Sequence, residues 1–198
     1  MSRFVIVTAA IVVPKPRLQA YLRAPVAPAS TWTEQDWAGL CEPWSDSGTR
    51  RRYRRELAGA VAECDGWIDG DYAGLLCGLD GDGEPAIRFD EATGSLTVDF
   101  DCRVDFQLPS MIWAFTALRG MAGFMAEDDS GLVAVTADWS DETVLMHLSP
   151  GRSSFLDPNR DTAALARARD AAFDARCAAG DADTNESATE VVERLLRP

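Results

Sequence analysis

The longest alternating pattern in the chain covers residues 96–108, which read LTVDFDCRVDFQL. The apolar residues of this run occupy the even positions, and its polar residues occupy the odd ones. Residues of one parity share one face of a β-strand, so the pattern predicts a strand with one face buried and the other in water. Fully extended, such a run would reach about 40 Å at about 3.3 Å per residue, so we expect it to bend or to carry a bulge.

Other segments predict further strands. Residues 4–13 are apolar on both parities, which is typical of a strand covered on both faces. Residues 72–79 and 85–90 flank an Asp-Gly-Asp-Gly turn, and together with the long strand they predict a three-stranded antiparallel meander. Residues 132–137 and 143–148 predict a hairpin, and residues 150–159 are expected to form a loop.

Helical patterns lie between these strands. Short helices are expected at residues 18–22 and after Thr33, whose hydroxyl can cap a helix with acidic residues in its first turn. Tyr53, Leu57, Val61 and Cys64 form the apolar stripe of a helix over residues 49–63. Apolar residues surround the axis of a helix that we expect at residues 109–126, so this helix is predicted to be buried. Further helices are expected at residues 161–179 and after Ser187, where Ser187 and Glu190 match a capping box.

These elements predict an α+β fold. We expect an antiparallel sheet of five or six strands, made of the meander and the hairpin, with a buried helix on one face and peripheral helices around it. Residues 1–180 are expected to form a single α+β domain. Residues 181–198 are expected to form a polar linker and a short C-terminal helix that can be removed without unfolding the domain.

The chain is strongly acidic, and this restricts the partners that it can bind. Its 198 residues include 32 acidic and 19 basic side chains, for a formal net charge of −13. A whole-surface interaction with nucleic acid is disfavoured because phosphate binding needs a positive footprint. The only basic cluster lies between Arg50 and Arg55; it can bind an anion, but pairing with acidic side chains of the same chain is the favoured interpretation.

Cysteine usage and hydropathy favour a cytoplasmic protein. The five cysteines are odd in number, widely spaced and without a CxxC motif, as expected of small core residues in a reducing compartment. Residues 4–13 have the apolar character of a signal peptide, but Pro14 and Lys15 follow where a cleavage site should lie. Residues 108–126 are apolar but contain Arg119 and fall short of a membrane span.

No catalytic or cofactor motif stands out. His147 is the single histidine, so an imidazole-based metal cluster is excluded, and no nucleophile motif accompanies it. Asp80, Asp82, Glu84 and Glu91 match part of a calcium-loop spacing, but Pro85 stands where that loop needs glycine. A hairpin turn explains these residues without a metal. We therefore predict no cofactor and no metal site.

The candidate binding residues are Asp99, Asp101, Arg103 and Asp105 on the polar face of the long strand. Together with the net charge, they favour a non-enzymatic binding protein that meets a basic protein partner, such as a bacterial immunity protein or inhibitor that neutralises a toxin or nuclease. Two alternatives stay open. One is a carboxylate-based enzyme or a protein that binds a small ligand or metal; the other is a homo-oligomer that uses the C-terminal helix as its contact.

Overall fold

The computed structural model describes residues 3–77, 86–104, 107–139, 142–157, 163 and 186–197. Its centre is a six-stranded sheet in which every pairing is antiparallel and the strand order is β2-β3-β1-β4-β5-β6. The strands are β1 (Arg3–Val12), β2 (Ala86–Asp90), β3 (Ser95–Val104), β4 (Ser130–Ala137), β5 (Thr143–Ser149) and β6 (Arg152–Phe155). Helices accompany this sheet, so the predicted α+β fold is confirmed.

One face of the sheet is the core face. In the centre of the sheet, Val7 of β1 pairs with Phe100 of β3 on one side and with Val135 of β4 on the other. All three side chains are buried. The even-numbered residues of the long strand therefore face the core as far as Phe100. Strand β1 is central in the sheet, as its apolar sequence predicts.

The helices of the described residues are α1 (Lys15–Leu22), α2 (Glu34–Ala38), α3 (Ser47–Asp65), α4 (Tyr72–Cys77), α5 (Gln107–Arg119) and α6 (Ala188–Leu196). The most buried of them is α5, which contacts β1, β4 and α3. Its Met111, Ile112, Phe115 and Leu118 have no exposed surface. A 3₁₀ turn (Gly120–Phe124) follows it directly, so the predicted helix of residues 109–126 ends earlier than expected.

The predicted meander is wrong in its first strand, because Tyr72–Cys77 forms a helix. Asp71 starts this helix: its carboxylate accepts a hydrogen bond from the N–H of Gly74 at 2.7 Å, and its carbonyl accepts one from Leu75 at 3.0 Å. Tyr72, Ala73 and Leu76 are buried on one side. Strand β3 pairs instead with β1 and β2, and the Asp-Gly-Asp-Gly turn lies outside the described residues.

Two other boundaries differ from the sequence pattern. The long strand ends at Val104, and α5 begins at Gln107, so Leu108 is a buried helical residue rather than a strand residue. Part of the predicted loop 150–159 forms β6, which pairs with β5 after a turn in which Gly151 has a φ of 66°. This positive φ suits glycine because other residues meet a steric penalty there.

The C-terminal helix α6 packs into the core. Its Val191, Val192 and Leu195 are each at most 2% exposed, and the helix contacts α1, α4 and β2. The side-chain amide of Gln19 donates to the carbonyl of Leu195 at 2.7 Å. The predicted capping box of Ser187 and Glu190 is confirmed, whereas the predicted helix of residues 161–179 lies outside the described residues except for residue 163.

Among the helices that the structure describes, none combines the length and the apolar character needed to cross a membrane.

Candidate functional site

Two of the acidic residues predicted for partner binding, Asp99 and Asp101, lie on the sheet face opposite the core. Asp101 is exposed, whereas Asp99 is half-buried and accepts a hydrogen bond from Thr8 Oγ1 at 3.4 Å. The backbone of Arg103 continues β3 opposite Phe4 of β1, but its side chain lies outside the described part of the structure, as does Asp105. The two described carboxylates therefore share one face, as the alternation predicts.

This second face is not polar throughout. On the side of β4 and β5, Ala134 and Leu145 form a small apolar cluster in which Leu145 is only 1% exposed, and the half-buried Leu132 and Leu156 pack against it. His147 on the same face is exposed. The acidic character that we expect for this face thus belongs to β3, at one side of the sheet.

The arginine cluster at the start of α3 finds acceptors within the chain. The guanidinium of Arg54 pairs with the Glu42 carboxylate, and Arg50 Nε donates to the carbonyl of Trp44 at 3.1 Å. Asp46 caps the helix by accepting from the N–H groups of Gly48 and Thr49. Hydrogen bonds from Thr49 and Gly48 lower the pKa of Asp46 to about 2. These contacts favour the intramolecular interpretation of the cluster.

The most unusual side chain in the described structure is Arg119, at the C-terminal end of α5. A cation is favourable at this end of a helix, but Arg119 is only 1% exposed, and arginine is almost never fully buried unless it is paired. Its Nε donates to Ser153 Oγ of β6 at 2.9 Å. The position of this side chain is therefore set by a helix end and by an edge strand.

Aromatic rings surround the guanidinium of Arg119. Its central carbon lies 4.5 Å from the ring centroid of Trp32, 4.3 Å from that of Trp37 and 5.7 Å from that of Phe155. The planes of the two tryptophan rings are 86° apart, so they form two walls of a corner around the cation. Such cation–π contacts stabilise a buried guanidinium without supplying a hydrogen-bond acceptor.

Local structure holds these rings in place. Trp37 belongs to α2, which begins at a capping box formed by Thr33 and Asp36. The indole Nε1 of Trp37 donates to the carbonyl of Ala29 at 3.0 Å, and this bond ties the helix to the 3₁₀ turn (Ala29–Thr31) that precedes Trp32. Trp37 is fully buried and Trp32 is half-buried, so Trp32 is the outer wall of the corner.

Two guanidinium nitrogens of Arg119 lack an acceptor. Nη1 and Nη2 are both buried, and neither has a hydrogen-bond partner among the described residues. Burial lowers the pKa of Arg119 to about 10, although the charge of Asp36 opposes this shift. The group is therefore still a cation at neutral pH, with two strong donors that the described chain does not use.

Arg119 lines a cleft of about 370 Å³, which we call the Arg119 cleft. Its other walls are mainly apolar, and they include Pro25, Trp32, Tyr72, Ala122 and Phe124, together with Ser153 and three glycines. Gly120 is required here because a Cβ at this position would lie 1.9 Å from the hydroxyl oxygen of Tyr72. Tyr72 in turn stacks on Tyr21, with ring centroids 4.3 Å apart. The cleft therefore combines one buried cation with a mostly apolar lining, as ligand pockets commonly do.

Reasoning from the sequence did not select Arg119 as a functional residue. The sequence feature that points to it is a single charged residue inside an apolar helical run. In the sequence, this charge counted only against a membrane span. Within the described residues, no group of three or more His, Cys, Asp or Glu side chains is arranged to hold a metal ion.

Comparison with family models, with curated proteins and with solved structures found no match for this chain.

Proposed function

We propose that the protein binds a small anion in the Arg119 cleft. The observation that carries this proposal is the pair of buried, unpartnered nitrogens on Arg119, whose side chain lines the cleft. Leaving buried donors of a charged group without acceptors costs roughly 1–3 kcal/mol or more. A bound anion would supply those acceptors and would neutralise the cation at the same time.

The chemistry of the cleft supports binding rather than catalysis. Its lining contains one cation, the hydroxyls of Ser153 and Tyr72, and otherwise apolar groups. Burial raises the pKa of Tyr72 above its ordinary value of 10. Ser153 Oγ already accepts a hydrogen bond from Arg119 Nε, and an arginine is a poor general base because it stays protonated. The described lining thus offers no proton-transfer group that is matched to neutral pH.

Thermal melting of the full chain with small anions tests this proposal. The probes are acetate, benzoate, phosphate and sulfate at equal ionic strength, compared with the Arg119→Met variant. An anion at about 100 times its Kd stabilises the folded state by about 2.7 kcal/mol, which corresponds to a Tm increase of about 5–10 °C for a chain of this size. We expect at least one anion to give such an increase in the parent and none in Arg119→Met.

Arg55→Met is the matched control because Arg55 is an exposed cation, with 77% of its side chain accessible. Its removal changes the net charge by the same amount, so the Tm increase should persist in this variant. An increase of equal size in the parent and in Arg119→Met would show that the anion acts elsewhere, and the proposal would then be wrong.

A second function is favoured by a different observation, the shared face of Asp99 and Asp101 in a chain of net charge −13. We propose that this face meets a basic protein, as an immunity protein or inhibitor does when it neutralises a basic toxin. Complementary charge mainly increases the rate of encounter and sets its salt dependence. Buried free thiols such as Cys41 and Cys64 support the cytoplasmic location that this function requires.

Pull-down from native lysate at low and high salt, followed by identification of what elutes, tests this second function. We expect Asp99→Asn with Asp101→Asn to lose a basic protein that the parent retains at low salt. The control is Glu127→Gln with Asp128→Asn, which removes two exposed charges from a turn between α5 and β4. Equal retention by the parent and by both double variants would count against the β3 face as the partner surface.

A further inference from the structure

We infer that the ligand of the Arg119 cleft is a monocarboxylate that carries a compact apolar or aromatic group. This inference rests on the proposed anion-binding function, and it names the chemical class of the anion. Three features of the cleft lead to it: the geometry of the free donors, the number of charges and the character of the walls.

The free donors of Arg119 match a planar carboxylate. Nε already donates to Ser153 Oγ, so the edge of the guanidinium without a partner is the one formed by Nη1 and Nη2. This edge offers two parallel N–H donors, which is the arrangement that pairs with both oxygens of a carboxylate. A tetrahedral phosphate or sulfate needs donors in more directions, which proteins commonly supply with helix N-termini or successive backbone N–H groups. The N–H of Gly151, which lines the cleft, is already bonded to the carbonyl of Ala122 at 2.7 Å.

The charge of the ligand is expected to be −1. Arg119 is the one formally charged side chain among the described residues that line the cleft. A second negative charge on the ligand would be buried without a partner, which is costly in a low-dielectric site. The net charge of −13 adds to this discrimination because it repels a dianion more strongly than a monoanion.

The walls of the cleft suit an apolar body attached to the carboxylate. Phe124, Tyr72, Pro25 and Trp32 contribute aromatic and aliphatic surface. The volume of about 370 Å³ lies near the lower end of the roughly 300–1,000 Å³ range of small-molecule pockets. Burying apolar area adds stabilisation in proportion to that area, so we expect benzoate to bind more tightly than acetate.

Thermal melting and tryptophan fluorescence of the full chain test this inference with five probes: benzoate, acetate, benzamide, phthalate and phosphate. Benzoate should raise the Tm by about 5–10 °C at about 100 times its Kd, and it should change tryptophan emission over the same concentration range because Trp32 and Trp37 border the cation. Acetate should act only at higher concentration. Benzamide should have little effect because it carries no charge, and phthalate because it carries two negative charges. Phosphate should have little effect because it is tetrahedral rather than planar.

Two variants separate the effect of the two parallel N–H donors of Arg119 from the effect of its charge. Arg119→Met should abolish both responses to benzoate. Arg119→Lys keeps the charge but loses the two parallel donors, so benzoate affinity should fall at least tenfold. If the methionine variant does not fold, the lysine variant carries the test.

The outcomes distinguish this inference from the proposed function. A Tm increase with phosphate but not with benzoate, dependent on Arg119, would overturn the carboxylate inference and leave the anion-binding function standing. The same holds if phthalate binds as tightly as benzoate, or if Arg119→Lys binds benzoate like the parent. If benzamide raises the Tm as much as benzoate does, the carboxylate inference fails. If no anion raises the Tm through Arg119, both proposals fail.

Discussion

Replacing Arg119 with methionine in the absence of ligand should leave the stability of the protein nearly unchanged. The side chain is buried, and methionine has a similar length without the charge. Substitutions of fully buried side chains usually cost 2–5 kcal/mol when they leave a cavity. We expect Arg119→Met to differ because the stabilising contacts that it removes and the cost of burying a charge that it also removes are of similar size.

The magnitudes follow from the surroundings of the guanidinium. Burial lowers the pKa of Arg119 from 12.5 to about 10, which corresponds to a cost of about 3 kcal/mol for holding the cation in the folded protein. Methionine removes this cost. It also removes cation–π contacts with Trp32 and Trp37, worth about 2 kcal/mol each when desolvated, but the methionine sulfur regains about 1 kcal/mol against each ring. The charged hydrogen bond to Ser153, worth about 1.5 kcal/mol, is lost as well. The balance lies within about 1 kcal/mol of zero.

Chemical denaturation in urea measures this change as a difference in the free energy of unfolding. We expect a difference below about 1.5 kcal/mol for Arg119→Met, or a Tm change below about 5 °C. Leu118→Ala is the control, because Leu118 is fully buried on the same helix and should cost about 2–5 kcal/mol. A loss of more than 3 kcal/mol for Arg119→Met would refute the reasoning, since Arg119 would then be explained by its structural role.

Three further predictions concern the cleft, the C-terminal helix and a buried thiol. Gly120→Ala should cost about 1–3 kcal/mol because the new Cβ would overlap a tyrosine hydroxyl, whereas Gly123→Ala, with no atom within 4 Å of its Cβ, should melt like the parent. Leu195→Ala should cost about 2–5 kcal/mol and exposed Glu193→Ala less than about 0.5 kcal/mol; equal melting of the two would show that α6 is peripheral. Burial raises the pKa of the Cys64 thiol to about 12, so Cys64 should stay protonated and should not react with Ellman's reagent at pH 8 until the protein is denatured. Rapid reaction of this thiol in the native protein, mapped by mass spectrometry, would contradict its burial.

The sequence by itself predicts the sheet core well. The alternation of β3 identifies Val98 and Phe100 as core residues, and both are buried. The doubly apolar pattern of β1 identifies the central strand. Such patterns are readable because the periods of strands and helices determine which neighbours in sequence share a face.

The pattern fails where a short apolar run fits either element. Residues 72–77 read YAGLLC, and six apolar or small residues fit a buried strand as well as a helical turn. The tertiary structure decides for the helix, in which Tyr72 stacks on Tyr21 and its hydroxyl accepts from the N–H of Ala27. Similarly, α6 has few apolar residues and reads as peripheral, but it is buried because α1, α4 and β2 leave a surface for it.

The Arg119 cleft depends on tertiary structure almost entirely. The sequence contains one sign of it, a cation within an apolar helix. The groups that give this cation its properties come from residues 32, 37, 153 and 155, which no local pattern connects with residue 119. Local periodicity reports which side chains avoid water, whereas the meeting of distant side chains depends on how the helices and the edge strand pack around the sheet.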